Sequence, residues 1–212
     1  MRKILFLTLL ALIVSVQSFC GAATIESTCF NGNEKFVYPV VHTGDEAIDQ
    51  KINIKIKTEL MSFIKGLHYA VQYDNRKVLG AQMNYKVACN GAGNTVILSL
   101  LISKSQYFEG AAHPTSYLHA LNFNMSSGNR IGLNYLTDVG SGVSVEEIKA
   151  RLENKLQEKI KREKLYLFPE ALPLKNLPEN FYWDENLHVH FIFQQYEVAP
   201  YAVGIIDVDI DA

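Results

Sequence analysis

Across residues 48–64 an apolar side chain returns at every fourth position: Ile48, Ile52, Ile56, Leu60 and Ile64, with Phe63 beside them. That period predicts a helix of about five turns with one apolar stripe, leaving Ile54 off the stripe and exposed. Ahead of it, Thr43-Gly44-Asp45-Glu46 has the form of a capping box, a threonine cap with a glutamate three residues on. Residues 34–41, "EKFVYPVV", are rich in β-formers, and Pro39 marks an edge strand or a strand end. After the helix the period switches to two, first at Tyr69, Val71 and Tyr73, then at Met83, Tyr85 and Val87. Asn90-Gly91-Ala92-Gly93-Asn94 is dense in turn residues, and the near-unbroken apolar run at 96–102 predicts a central strand paired as a hairpin with 81–89.

The pattern repeats loosely in the second half. Residues 107–114, "YFEGAAHP", interrupt it, and strand character resumes over 117–125. Ser126-Ser127-Gly128-Asn129 predicts a turn, with the hairpin continuing through 131–136. A second helix is expected to open at Ser144, capped by that serine and by Glu147, with a buried stripe of Val145, Ile148, Leu152, Leu156 and Ile160. Its other face is densely charged, as a solvated helix face is. Pro169, Pro173 and Pro178 mark a loop, and 181–183, 187–193 and 204–210 are short strands. Strand, helix and hairpin thus occur twice. This predicts an α+β fold of two packed small lobes, each a mostly antiparallel sheet with one long helix. With no flexible linker near residue 114, where the lobes are expected to meet, they should pack as one body.

The first residues belong to a different class of signal. Arg2 and Lys3 precede an apolar run over 4–16, and small residues follow at Ser18, Cys20, Gly21, Ala22 and Ala23. This is the layout of a secretory signal peptide, here assigned to 1–22, and the run is too short for a comfortable membrane span. Lipidation at Cys20 is disfavoured by bulky Phe19 directly before it. Cleavage changes the charge. Lys plus Arg falls from 20 to 18 against 22 Asp plus Glu, so the net charge moves from −2 to −4. No basic run or stripe is present, which argues against a nucleic-acid partner. Cleavage also leaves two cysteines, Cys29 and Cys89, and an even pair in an oxidising compartment predicts one disulfide.

Three stretches together carry a resemblance: "KFVYPVVHTGDEAIDQKINIKI", "YFEGAAHPTSYLHALNFNMSSGNRIGLNYLTD" and "FYWDENLHVHFIFQQYEVAPYAVG". The chain resembles the PdaC/RsiV-like extracytoplasmic domains, which are largely of unknown function. The resemblance implies a PdaC-like N-terminal lobe at 23–113 and an RsiV-like C-terminal lobe at 114–212. It also implies an extracytoplasmic role, in which a relative binds lysozyme and another accompanies a polysaccharide deacetylase domain. This chain has Ala111 where the family loop carries a second glycine, and it is expected to lack a cytoplasmic segment or an attached deacetylase domain.

The candidate chemistry is sparse. In "FQQYEVAPYAVG" the break Tyr196-Glu197…Pro200-Tyr201 is open to two readings, a binding corner with two flat amphipathic tyrosines or a crossover between strands. His113, after Tyr107 and the Gly-Ala-Ala turn, is a hydrogen-bond anchor between lobes, a ligand or a base. His188 and His190 share one strand face and are weak metal candidates, with Asp184, Glu185 or His119 as companions. Asp207, Asp209 and Asp211 line one face of the last strand, protecting an edge or attracting a basic partner. No HExxH, GxSxG or phosphate loop is present, and no cofactor is expected. These features predict an exported, periplasmic or secreted binding protein that recognises cell-wall glycan (peptidoglycan) or a glycan-degrading enzyme such as lysozyme. The binding candidates are Tyr107, His113, Tyr196, Glu197 and Tyr201. The alternatives are a metal-assisted hydrolase or deacetylase acting on wall sugars and a structural envelope component.

Overall fold

A computed structural model describes residues 21–92, 95–138 and 142–212. The leader assigned to 1–22 falls almost wholly outside these residues. The fold is α+β, with two sheets and two long helices. Strands β1 (Thr24–Phe30), β2 (Asn33–His42), β3 (Val78–Asn90), β4 (Ile97–Phe108) and β5 (Thr115–Asn124) form a five-stranded sheet in chain order. All its neighbours are antiparallel except β2 and β3, which run parallel because helix α1 (Glu46–Gln72) crosses between them. A short helix α2 (Asn134–Asp138) and a long one, α3 (Val145–Glu163), lead to an antiparallel three-stranded sheet of β6 (Phe181–Trp183), β7 (Val189–Phe193) and β8 (Ile206–Asp209).

The stripe predicted on α1 is the stripe that packs. Ile52, Ile56 and Leu60 are buried against Val41, Met83, Leu98, Leu100, Ile102, Leu121 and Phe123 on one face of the large sheet. Ile54, off the stripe, is 61% exposed. Asn53 pegs the helix to β2 through both halves of its amide, accepting from Val41 N at 2.8 Å and donating to Val41 O at 2.9 Å. The cap differs from expectation. Asp45, not Thr43, accepts from Ala47 N and Ile48 N, while Thr43 turns its hydroxyl onto Asp49. The helix also runs through Tyr69 and Val71, which the alternation assigns to a strand. Side chains two apart sit on different faces of a helix, and all of Tyr69, Val71 and Tyr73 are exposed.

β4 is buried without a break from Ile97 to Ile102 because both sheet faces are covered. One face meets α1. The other meets the second lobe, where Leu101 and Ala120 pack on Tyr182 and Ile192. Beyond that contact Ile148, Leu152 and Leu156 of α3 pack on Phe181, Trp183, Phe191, Phe193, Ile206 and Val208. Ser144 caps α3 as predicted, its hydroxyl accepting from Glu147 N at 3.1 Å. Val145 is 46% exposed, because it precedes the turn on which the stripe closes. Residues 131–136 do not extend a hairpin. The ladder ends at a single Phe123–Arg130 bridge, and α2 begins four residues later.

The disulfide expectation fails on register. Both cysteines are free thiols. Ala23 N donates to Asn90 O at 2.9 Å, so β1 enters beside Cys89. Cys29 lies six residues further along β1, roughly 20 Å away at about 3.3 Å per residue, far outside disulfide reach. A bulge compounds this. Between Val87 and Cys89 one residue of β3 is unpaired, so Val87 faces the α1 core while Cys89 opposes Ser99 and joins the other core.

Candidate functional site

The outer edge of β5 is where the lobes are latched. A free edge strand presents a row of unpaired N–H and C=O groups. Here side-chain amides of the second lobe take them. Gln195 Oε1 accepts from Ser116 N at 3.2 Å, and Gln194 both accepts from Leu118 N at 3.1 Å and donates to Leu118 O at 2.8 Å. Asn180 accepts from Ala120 N at 2.8 Å and donates to Leu118 O at 2.7 Å. Deeper in, a buried relay completes the junction. Trp183 N donates to Ser99 Oγ, Ser99 Oγ donates to Asn122 Oδ1 at 2.8 Å, and Asn122 Nδ2 donates to Phe181 O at 2.6 Å.

At one end of this edge sits the predicted corner. His113 stacks on Tyr201 with ring centroids 3.5 Å apart. Its Nδ1 faces Pro114 O at 3.0 Å, so Nδ1 carries the proton and Nε2 accepts from the Tyr196 hydroxyl at 3.0 Å. Tyr201 Oη donates to the same Pro114 carbonyl at 3.0 Å. Glu197 closes the turn locally, its Oε2 accepting from Gln194 N at 2.7 Å. Gly204 ends the following 3₁₀ turn (Tyr201–Val203) at φ 81°, ψ −157°, a region open essentially to glycine alone. Tyr196 itself holds φ 67°, an uncommon conformation for a tyrosine, and its ring stays 57% exposed. The structure thus joins His113, Tyr196, Glu197 and Tyr201 in one corner. Tyr107 stands apart from it in β4, opposite Gly80.

A wedge-shaped cavity of about 670 Å³ opens along the β5 edge, between the large sheet and the loops of the second lobe. Its lining includes Lys104, Tyr117, His119, Arg130, Glu179 and Asn180. Glu59, reaching from α1, accepts from His119 Nδ1 at 3.0 Å and from Lys104 Nζ at 3.2 Å through one carboxylate oxygen. The His119 hydrogen bond, with the Lys104 ammonium beside it, pulls the Glu59 carboxyl down to about 2 against the opposing pull of burial. Arg130, exposed overall, spends one N–H on Ala120 O at 3.3 Å; desolvation lowers its pKa, while the Glu59 carboxylate works to raise it. Tyr117 is 43% exposed beside these groups. Lys104, Arg130, Asn180 and Gln194 have no signature in the sequence: their roles come from which strands are neighbours. His119, considered in the sequence only beside His188 and His190, is instead paired with Glu59.

His190 lies in β7 and His188 just ahead of it, and the acids of β8 take both. His188 Nδ1 donates to Asp209 Oδ2 at 3.0 Å, and His190 Nδ1 to Asp207 Oδ1 at 2.9 Å. Tyr182 Oη donates to Asp207 Oδ2 at 2.6 Å and stacks on His190. Burial and the Asp207 contact push the Tyr182 hydroxyl far above its ordinary value. Asp209 raises the pKa of His188. Burial works to lower His190, but Asp207, Asp209 and Asp184 outweigh it and the net shift is upward. Its Nε2 is buried without a hydrogen bond, 3.7 Å from Asp184 and 3.8 Å from Asp209. Among the described residues no group of three or more His, Cys, Asp or Glu side chains is arranged to hold a metal ion.

Two sheets, an amide-sealed edge strand and an inter-lobe wedge define an α+β protein of two packed lobes. Residues 136–212 match the model of a family described as a protein of unknown function (DUF3298). Most of the fold is similar to the crystal structure of a member of the DUF3298 family from Bacteroides fragilis. The two chains share 18% identity over 88% of this chain and 87% of that one, with a TM-score of 0.53, a likeness of fold. No curated protein matches the chain. No helix among the described residues is long and apolar enough to cross a membrane.

Proposed function

We propose that this chain is an exported, non-catalytic binding protein of the cell envelope, related to the PdaC/RsiV-like domains, and that its ligand is cell-wall glycan held in the inter-lobe wedge. The wedge is the observation that carries the reading. Its volume of about 670 Å³ falls in the range of sites that enclose small ligands. Tyr117 offers a flat ring face, suited to stacking on a sugar, next to the charged donors of Lys104 and Arg130 and the ring of His119. The corner of His113, Tyr196 and Tyr201 supports the site by fixing the loop that carries Gln194, with exposed Tyr196 as a further contact surface.

Lysozyme, a basic protein, is the less favoured partner. The acids that would attract it are engaged internally: Asp207 by His190 and Tyr182, Asp209 by His188, and Asp211 by Val189 N at 2.8 Å. Hydrolysis of wall sugars remains a second reading on one observation. Glu59 orients His119 through Nδ1, leaving Nε2 as the ring's remaining polar atom, an arrangement general bases use.

Incubating the purified protein with insoluble peptidoglycan, and separately with immobilised lysozyme, tests the reading. Retention on peptidoglycan without release of reducing ends is the expected result. Failure to be retained there defeats it, retention on lysozyme alone restores the protein partner, and sugar release together with its loss in His119→Gln restores the enzyme. Export is tested by the mass of protein recovered outside the cytoplasm, expected to begin at Ala23 or Thr24.

A further inference from the structure

The basic side chains around the wedge are not equally occupied. Glu59 is committed to Lys104 at 3.2 Å and to His119 at 3.0 Å. Arg130 makes no such ion pair: among the described residues no carboxylate comes within 4.0 Å of its guanidinium, and Glu59 acts on it only from farther away. Of its five N–H donors, one is spent on Ala120 O. The side chain is held in place on two sides, by that carbonyl and by the Phe123 ring, 5.4 Å from Cζ to centroid. A planar fork fixed at the wall of a cavity, exposed to an incoming ligand and with most donors unspent, matches a group offering two coplanar oxygens.

We infer that the wedge selects a carboxylate-bearing glycan, seating the carboxylate bidentately on Arg130, with Tyr117 under an adjoining ring and His119 Nε2 within the same lining. This rests on the glycan-binding reading above and narrows it. Neutral sugar polymers, which offer only hydroxyls and amides, leave the guanidinium unpaired. In wall glycan the carboxylate has two sources: the lactyl group of the acidic sugar, free only where its peptide stem has been removed, and the peptide's own carboxylates where the stem is attached and the lactyl carboxyl is an amide. Both present the same two oxygens, so the chemistry at Arg130 is shared.

Binding isotherms against three soluble probes separate the cases. The probes are a neutral tetrasaccharide of N-acetylglucosamine, a tetrasaccharide alternating N-acetylglucosamine with N-acetylmuramic acid and free of peptide, and the same sugar carrying its peptide stems. At least one of the carboxylated sugars should bind about tenfold tighter than the neutral one, and the preference should weaken with salt. If the peptide-free sugar shows the preference and the stem-bearing one loses it, the lactyl group is the source; if only the stem-bearing sugar shows it, the peptide is; if both do, either carboxylate is accepted. Arg130→Gln should reduce the carboxylated sugars to the affinity of the neutral one, and Arg130→Lys, which keeps charge but not the fork, should restore only part of the difference. Thermal melts of both variants check folding. Equal affinity for neutral and carboxylated probes overturns the inference. So does a preference that survives in Arg130→Gln. If peptidoglycan is retained equally by wild type and Arg130→Gln, the carboxylate assignment falls while glycan binding stands. If wild type is not retained at all, both fall.

Discussion

Replacing Asn122 with leucine cuts the buried relay between the two lobes while keeping the side chain's branched shape and heavy-atom count. Asn122 is 2% exposed and Ser99 is fully buried. In the variant the Ser99 hydroxyl loses its acceptor and the Phe181 carbonyl loses a 2.6 Å donor, and neither group has water to turn to. Each stranded buried polar group costs about 1–3 kcal/mol, so the loss of both partners should destabilise the protein by about 2–6 kcal/mol. For a chain of this length that is a fall in melting temperature on the order of 10 °C. Chemical denaturation of wild type, Ser99→Ala, Asn122→Leu and the double variant completes a cycle. Because both single changes remove the same Ser99–Asn122 bond, the double variant should be less destabilised than their sum, by roughly 0.5–3 kcal/mol. An Asn122→Leu protein within about 0.5 kcal/mol of wild type, or strictly additive single effects, would refute the relay as a unit of stability.

Gly91 holds φ 81° directly under the Met125 side chain, so Gly91→Ala meets both strain and overlap and should cost about 1–3 kcal/mol, read by the same denaturation. Stability should decline on the alkaline side. His188 and His190 are raised in the folded state, so their contribution is complete below the ordinary histidine value of about 6.5 and is lost as pH climbs through the raised value. Asp207→Asn should flatten that slope, and a melting temperature independent of pH from about 6 to about 8 would contradict it. At the acid end the sign reverses. Glu59 is depressed to about 2, so its contribution is present above its ordinary value and fades as pH falls from there towards about 2. Thiol labelling of the native protein should modify Cys29 and spare Cys89, whose thiol is buried and raised in pKa, with both labelled after denaturation. A native protein with no reactive thiol would revive the disulfide.

Much of the secondary structure is local and was therefore legible along the chain. The four-residue stripe from Ile48 to Leu60 names the buried face of α1, and Ser144 with Glu147 names the start of α3, because period and capping are decided within a few residues. The errors fell where a local signal competed with a longer one. Tyr69 and Val71 alternate as strand residues do, yet they continue a helix already nucleated and packed. Cys29 and Cys89 satisfy a count, but a disulfide needs register, and register comes from strand pairing and a bulge that no residue pattern announces.

The candidate site divides along the same line. The corner at Tyr196 could be seen in the sequence, since a proline, two tyrosines and a glycine interrupt two apolar runs. Its partner His113 lies 83 residues away, and only the packed lobes bring the two rings within a hydrogen bond. The wedge was invisible, because Glu59, Lys104, His119 and Arg130 come from one helix, two strands and a turn. By itself the sequence determined which segments become helix and strand and which faces they bury, for those depend on spacing along the chain. Which polar side chains share a cavity, and which thiols stay apart, depended on how the sheets are ordered and docked, a long-range outcome that one-dimensional periodicity does not encode.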